Sequence, residues 1–446
     1  MDERASRQEG VTRRQVARRI AGMMAAGGVL AGAACSQQQG TEPALARDTG
    51  ANLVWLIWSS NTNVRGEAYN NITTAFQQEF PNVTAEQISG GGDLKSTLEK
   101  LLTLVSADQP LDIVGVQHSV LGQYVNLGIL KDLTANSRRD PAFKFSDHVQ
   151  SAVDMLSFKG KSYALPIGMS TSAIAYNADL FQKAGVQVPD GSWGWQQYLE
   201  SAQKLTAWAE TDSQWGTHIL PSSSEIFYWI WMNGGEPFSP KEEPAKSSFV
   251  QPETMAAVQW FMDLNTRYRV KAPFDHPDGK GSNGKFEAGR VAFFPVQTNN
   301  TRELQDETFS WEVAPFPKGA RGTVYPLSSF AYGIYDKTRH PDLAWKFWTH
   351  VVGPAGQREW LLRTGEFIPS HKSLQAEYEK VPLKPANRKV FYQAAVNGRP
   401  TPKATRWADI APVIDAQLQA MDGAKIGVRA GLETLDRDLA PLLGAG

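Results

Sequence analysis

The chain has a single cysteine, Cys35. No disulfide can form within it, so the fold must rest on burial and hydrogen bonding alone. Net charge is nearly absent too: 45 Lys and Arg against 46 Asp and Glu give a formal balance of −1. Such a balance provides no electrostatic footprint for nucleic acid or for an anionic membrane surface. No apolar run is long enough to span a bilayer; the best candidate, Ile20 to Ala34, is short and made mostly of Ala and Gly. The seven histidines are scattered without metal-ligand spacing. Asp275-His276-Pro277-Asp278-Gly279 fails the spacing of a calcium loop. There is no internal repeat, and no low-complexity segment beyond Gln39.

Signatures of common chemistries are missing as well. Gly90-Gly91-Gly92-Asp93 is a glycine loop opening a helix, the form of a phosphate cradle. It lacks the Lys-Ser/Thr of a P-loop, and Lys95 stands where a dinucleotide fingerprint has its next glycine. Two readings remain for it: a turn that lets Asp93 face a hydroxylated ligand, or a plain turn. Gly168-Met169-Ser170-Thr171-Ser172 approaches a nucleophile elbow but ends in Ser172 where that motif needs glycine, and no histidine signature accompanies it. A glycosidase needs two carboxylates converging on one bond; Asp93 and Glu366 are the nearest candidates, and no spacing supports them. These absences predict a protein that is not an enzyme and uses no cofactor and no metal.

What is present starts with size. A chain of 446 residues with 41% apolar content is too long for one compact core, which predicts two domains. Residues 1–35 read as an export signal. Arg4, Arg7, Arg13, Arg14, Arg18 and Arg19 form its basic region, and Thr12-Arg13-Arg14-Gln15-Val16 has the twin-arginine form. Cys35 closes the apolar run after Ala33-Ala34 and is the expected lipidation point. Residues 36–50, opening Ser36-Gln37-Gln38-Gln39-Gly40, are the expected polar tether.

Leu53 to Trp58 is an apolar run fit for a buried parallel strand. A helix follows with Ala68, Ile72, Ala75, Phe76 and Phe80 on one face, stopped by Pro81. Val83 to Ile88, a helix carrying Leu94, Leu98, Leu101, Leu102 and Val105, and Leu111 to Val116 complete a β-α-β-α-β pattern. That pattern predicts an α/β fold whose ligands sit beyond the carboxyl ends of the strands.

Gly160 to Ala184 reads as two short strands meeting at Gly168-Met169-Ser170-Thr171, small and polar enough to line a cavity. Phe227, Trp229 and Trp231 alternate along a segment that runs into Asn233-Gly234-Gly235. Aromatic faces of this kind are either core or a platform for the C–H faces of sugar rings. The segments after Gly353 read as mostly helical.

Taken in order, these stretches resemble the family-1 extracellular solute-binding proteins of bacterial ABC importers, the sugar-binding, maltose-binding-protein-like class. The resemblance is carried by Pro110 to Val114, Leu127 to Leu133, Gly160 to Pro166, Tyr176 to Gly185, Asn233-Gly234-Gly235, Gly289 to Phe294 and Thr364 to Ser370. It implies a two-lobe periplasmic-binding-protein-like fold of type II, with discontinuous lobes and a ligand cleft between them. The implied lobes are 51–137 with 292–337, and 138–291 with 338–446. The implied ligand contacts are Trp58, Ser59, Ser60, Asn61, Gly92, Asp93, Gln117, His118 and Ser119 in the first lobe. From the second lobe and the returning segments come Met169, Thr171, Trp229, Trp231, Gly235, Phe294, Gln297, Ser329, Phe330 and Arg363. The implied partners are a saccharide and permease subunits, bound by a monomer outside the cytoplasm. Many sugar binders have Asp or Glu where Gln117-His118-Ser119 stand here, which keeps a peptide, polyamine or other polar solute open as the ligand.

Overall fold

A computed structural model describes residues 50–58, 64–208, 213–240, 243–274 and 282–443. The export signal, Cys35, the segment up to residue 49, and Ser59, Ser60 and Asn61 lie outside the described residues.

The predicted β-α-β-α-β unit forms: β1 (Ala51–Ile57), α1 (Val64–Glu79), β2 (Val83–Ser89), α2 (Leu94–Ser106) and β3 (Ile113–Val116). β1 pairs in parallel with both β2 and β3, and its centre is fully buried, as its unbroken apolar run requires. The long strand β4 (Ala164–Asn177) follows. After it come α3 (Trp195–Lys204), β5 (Trp215–Thr217), α4 (Ser223–Met232), α5 (Pro252–Thr266), β6 (Val291–Gln297), β7 (Trp311–Ala314) and β8 (Tyr325–Ile334). The chain ends with α6 (Pro341–Val352), α7 (Pro354–Thr364), α8 (Lys389–Val396), β9 (Gly398–Pro400), α9 (Trp407–Asp422) and α10 (Val428–Leu439).

One sheet runs through the molecule in the order β2-β1-β3-β8-β4-β6-β5, with β7 added to β4 and β9 to β8. Two strands, β4 and β8, serve both halves. The first half of β4 pairs with β8, and its second half, from Ser172 on, pairs with β6 and β7. The expectation of two strands at Gly160–Ala184 is therefore corrected to one continuous strand. The small residues between them are part of the ladder: Ser170 and Thr171 pair with Ser328 and Leu327.

Three apolar cores flank this sheet. One gathers β1, α1, α6 and α7 around Trp55, Tyr69, Phe347, Trp348 and Trp360. A second gathers α3, α4, α5, α9 and α10 around Tyr198, Trp229, Phe261 and Ile414. The third lies across β3, β4, β6, β8 and α8 and joins the two halves. The expected lobe boundaries need correction. β6 and β7 hydrogen-bond to the second half of β4, so 291–314 lies with that half of the sheet and not beside β1, β2 and β3. Helices α6 and α7 pack on α1 in the first core, so 341–364 does not join the second. Both shifts follow from where β4 and β8 cross, which no local pattern marks.

Candidate functional site

Helix α4 decides which aromatic residues face outward. Phe227, Trp229 and Trp231 would share a face only at a strand's period of two. In a helix, positions 227 and 231 share a face, and 229 turns away. Phe227 and Trp231 accordingly stack, with centroids 5.6 Å apart. Trp229 is 0% exposed and packs against Trp195, Tyr198, Trp260 and Phe316. Trp229 is thus a core residue and cannot serve as a platform.

Trp231 lines a cavity of about 320 Å³ together with Glu236, Pro237, Phe238, Arg399, Pro400, Thr401, Pro402 and Lys403. The Arg399 guanidinium lies 3.9 Å from the Trp231 ring centroid, and its two terminal nitrogens donate to the Glu236 carboxylate at 2.8 and 2.7 Å. His118, just beyond β3, reaches the same segment: its Nε2 lies 2.8 Å from Thr401 Oγ1. Lys403 Nζ donates to the carbonyls of Asp154 at 2.9 Å and Ser157 at 2.5 Å. The end of a strand in the first half therefore meets the loop leading into α9 in the second half, at the edge of the cavity.

Burial, and secondarily the positive charge of Lys403, pushes the His118 imidazole down to about 3. It is a neutral hydrogen-bonding group at any physiological pH. Its Nδ1 and the hydroxyl of Ser329 are both buried with no hydrogen-bond partner among the described residues. β8 pairs with β3 as far as Ala331 opposite Val116, and His118 lies in the short helical turn that follows β3, while Ser329 pairs with Met169 of β4. Two buried polar atoms without partners are costly unless something else satisfies them, and a ligand hydroxyl or a water has the required chemistry.

A second group gathers where α1 begins. Trp58 meets Phe330 edge-on at 6.2 Å. The Arg65 guanidinium sits 5.4 Å from the rings of both Phe330 and Phe367 and pairs with Glu366 at 2.9 Å.

Other expected contacts sit elsewhere. Asp93 is the N-cap of α2: it accepts from Ser96 N at 2.9 Å and Ser96 Oγ at 2.6 Å, and these bonds hold its carboxyl below the usual range. Gly92 beside it is exposed with φ +91°, so the glycine loop is a turn that opens a helix. Gly235 is needed for packing, since a Cβ there would lie 2.6 Å from Ile230 Cγ2 and Thr254 Oγ1. Phe294 and Met169 are 0% exposed in the central core. Thr171 donates to the Pro326 carbonyl, and Gln297 pairs with Ser172 in the ladder. Arg363 points out from α7 to Glu359 at 2.9 Å. Gln117 is half-buried and Ser119 buried beside His118.

Glu236, Arg399, Thr401 and Lys403 are missed by the sequence reading, as is Arg65. A signal existed for two of them. Arg399-Pro400-Thr401-Pro402 alternates proline with polar residues between two helices, which suits an extended edge strand and not a helix. Among the described residues no cluster could hold a metal ion, and no helix is long and apolar enough to cross a membrane.

Residues 71–387 match the family model described as bacterial extracellular solute-binding protein. A putative binding protein of Brucella abortus (strain 2308) is 22% identical over 388 residues, spanning 85% of this chain and 90% of that protein. An ABC substrate-binding protein of Listeria monocytogenes, solved in complex with cycloalternan, superposes with a TM-score of 0.77 at 19% identity, covering 88% of this chain and 99% of that one. The GacH receptor of Streptomyces glaucescens, solved unliganded and with acarbose, gives 0.71 at 18% identity over 89% and 100%. The fold is that of the two-lobe periplasmic-binding-protein-like structures, as the resemblance implied.

Proposed function

Because this chain belongs to the bacterial extracellular solute-binding protein family, we propose that it captures a mono- or oligosaccharide outside the cytoplasm by lobe closure and delivers it to the permease of an ABC importer. The observation that carries this reading is the roughly 320 Å³ cavity where Trp231 supplies an aromatic wall and His118, from the other half of the sheet, hydrogen-bonds Thr401. That volume lies at the small end of the usual range for small-molecule sites, ~300–1,000 Å³. A sugar ring needs an apolar face to pack on and polar partners for its hydroxyls. Trp231 with Pro237, Pro400 and Pro402 offers the first, and Glu236 and Thr401, the latter held by His118, offer the second. Cycloalternan and acarbose, with which the Listeria and Streptomyces proteins were solved, belong to the same chemical class.

The protein acts as a monomeric receptor and not as an enzyme, and it has no use for a cofactor. Export follows the twin-arginine route, and Cys35 carries the lipid that keeps the receptor at the membrane. A Streptomyces antibioticus relative, 23% identical over 298 residues, is itself described as a lipoprotein.

A second reading, a polar solute other than a sugar, is favoured by one feature: the end of β3 offers Gln117, His118 and Ser119 in place of a carboxylate. A thermal-shift screen against sugars, polyols, peptides and polyamines separates the two. A ligand at ~100 times its dissociation constant stabilises by about 2.7 kcal/mol. Stabilisation by saccharides supports the first reading; stabilisation by peptides or polyamines alone overturns it.

A further inference from the structure

Trp231 is only 5% exposed, yet it lines the cavity. Phe227 stacks against the ring from within the core, and on the cavity side stands Arg399, whose guanidinium lies 3.9 Å from the ring centroid, closer than typical cation–π pairs require. This is the height at which a stacked ligand ring would sit. Glu236 holds the guanidinium in place through both oxygens. The ion pair is itself part-exposed, its side chains 33% and 37% accessible, so water can take over both partners if they separate.

We propose that the Glu236–Arg399 pair is a gate on the Trp231 face: in the unliganded protein Arg399 occupies the place of a ligand ring, and a saccharide must displace it to stack. This deepens the carbohydrate reading above and rests on it for the identity of the ligand. The gate has two parts with different physics. The stacking contact is short-range and barely sensitive to salt. The ion pair is exposed enough to be screened, because the Debye length falls from about 10 Å at 0.1 M to about 3 Å at 1 M. An uncharged sugar carries no salt dependence of its own, so any that appears belongs to the gate. The pair therefore makes affinity for a neutral ligand rise with ionic strength, which is opposite to the behaviour of a site that attracts an anion.

The gate is tested first without a ligand. Hydroxyl-radical footprinting, read by tandem mass spectrometry, follows oxidation of Trp231, with Trp229 in the same peptide as a buried reference. Arg399→Ala and Glu236→Gln should each raise Trp231 oxidation severalfold while Trp229 stays protected, and 1 M NaCl should do the same in the wild type. Equal protection of Trp231 in all three overturns the gate. Calorimetric titration with maltotriose is the second arm. Arg399→Ala should bind about threefold to tenfold more tightly than wild type at low salt, the scale of a half-exposed ion pair plus one stacking contact, and its affinity should be flat with salt. Weaker binding by Arg399→Ala would instead make Arg399 a ligand donor and overturn the gate. If maltotriose binds neither protein, that tells against the carbohydrate reading, and the footprint alone decides the gate.

Discussion

Glu225 is a carboxyl that the fold keeps dry. It lies in the first turn of α4, almost fully buried, and its one resolved partner is the Tyr228 hydroxyl, which donates to Oε2. Burial pushes it up to about 8 from an ordinary value of 4.5. The folded protein therefore keeps a proton that the unfolded chain releases between about pH 4.5 and 8, and stability falls as pH rises through that window. Glu225→Gln should remove that slope and gain on the order of 1–2 kcal/mol near pH 8, with little change near pH 4.5, in urea denaturation at several pH values. A parallel pH profile in the mutant would show that the carboxyl is solvated. His118 and His148 act in the opposite sense. Burial pushes each down to about 3, so their stabilisation is complete above about 6.5 and is lost as pH falls toward 3.

At the scale of the element, α4 shows how a period decides a role. The same three aromatic residues make a platform if the segment is a strand, and divide between core and cavity if it is a helix. Trp229→Ala should destabilise the protein by about 3–5 kcal/mol, as expected for emptying a fully packed aromatic site. The folded fraction should bind its ligand with wild-type affinity by calorimetry. Lost affinity at unchanged stability would return Trp229 to the site. The glycine loop before α2 makes the same point. Its residues are those of a ligand loop, but Asp93 spends both carboxylate oxygens on Ser96, and the loop becomes a cap.

The whole molecule is organised by strands that pass between its halves. β4 and β8 lie side by side, and Ile368 bridges to Met169 on the far side of β4, so a third segment crosses next to them. Arg302, in the segment after β6, donates to the Thr364 carbonyl at the end of α7, a contact between the halves that a rotation would change. A ligand held from both sides contributes its full binding free energy only in the closed form and shifts the population toward it. Small-angle scattering should show the radius of gyration falling when a saccharide that binds is added at saturation. An unchanged profile with bound ligand would sink lobe closure, whatever the affinity.

Several features were legible in the residue order because they depend on local chemistry. The β-α-β-α-β unit follows from apolar runs separated by a helix-period face and a proline stop. The family follows from short segments spread along most of the chain. Of the expected contacts, Trp231 lines the cavity and His118 reaches its wall through Thr401. Tertiary structure alone decided the rest. Whether Phe294 and Met169 face a ligand or a core depends on which elements close over the sheet. The lobe boundaries depend on where β4 and β8 exchange partners, which is a matter of long-range pairing and leaves no composition change behind. The meeting of Arg399 with Glu236 and Trp231 joins residues more than 160 positions apart; nothing local foretells it, because an exposed arginine and an exposed glutamate look alike wherever they occur until the fold sets them 2.7 Å apart.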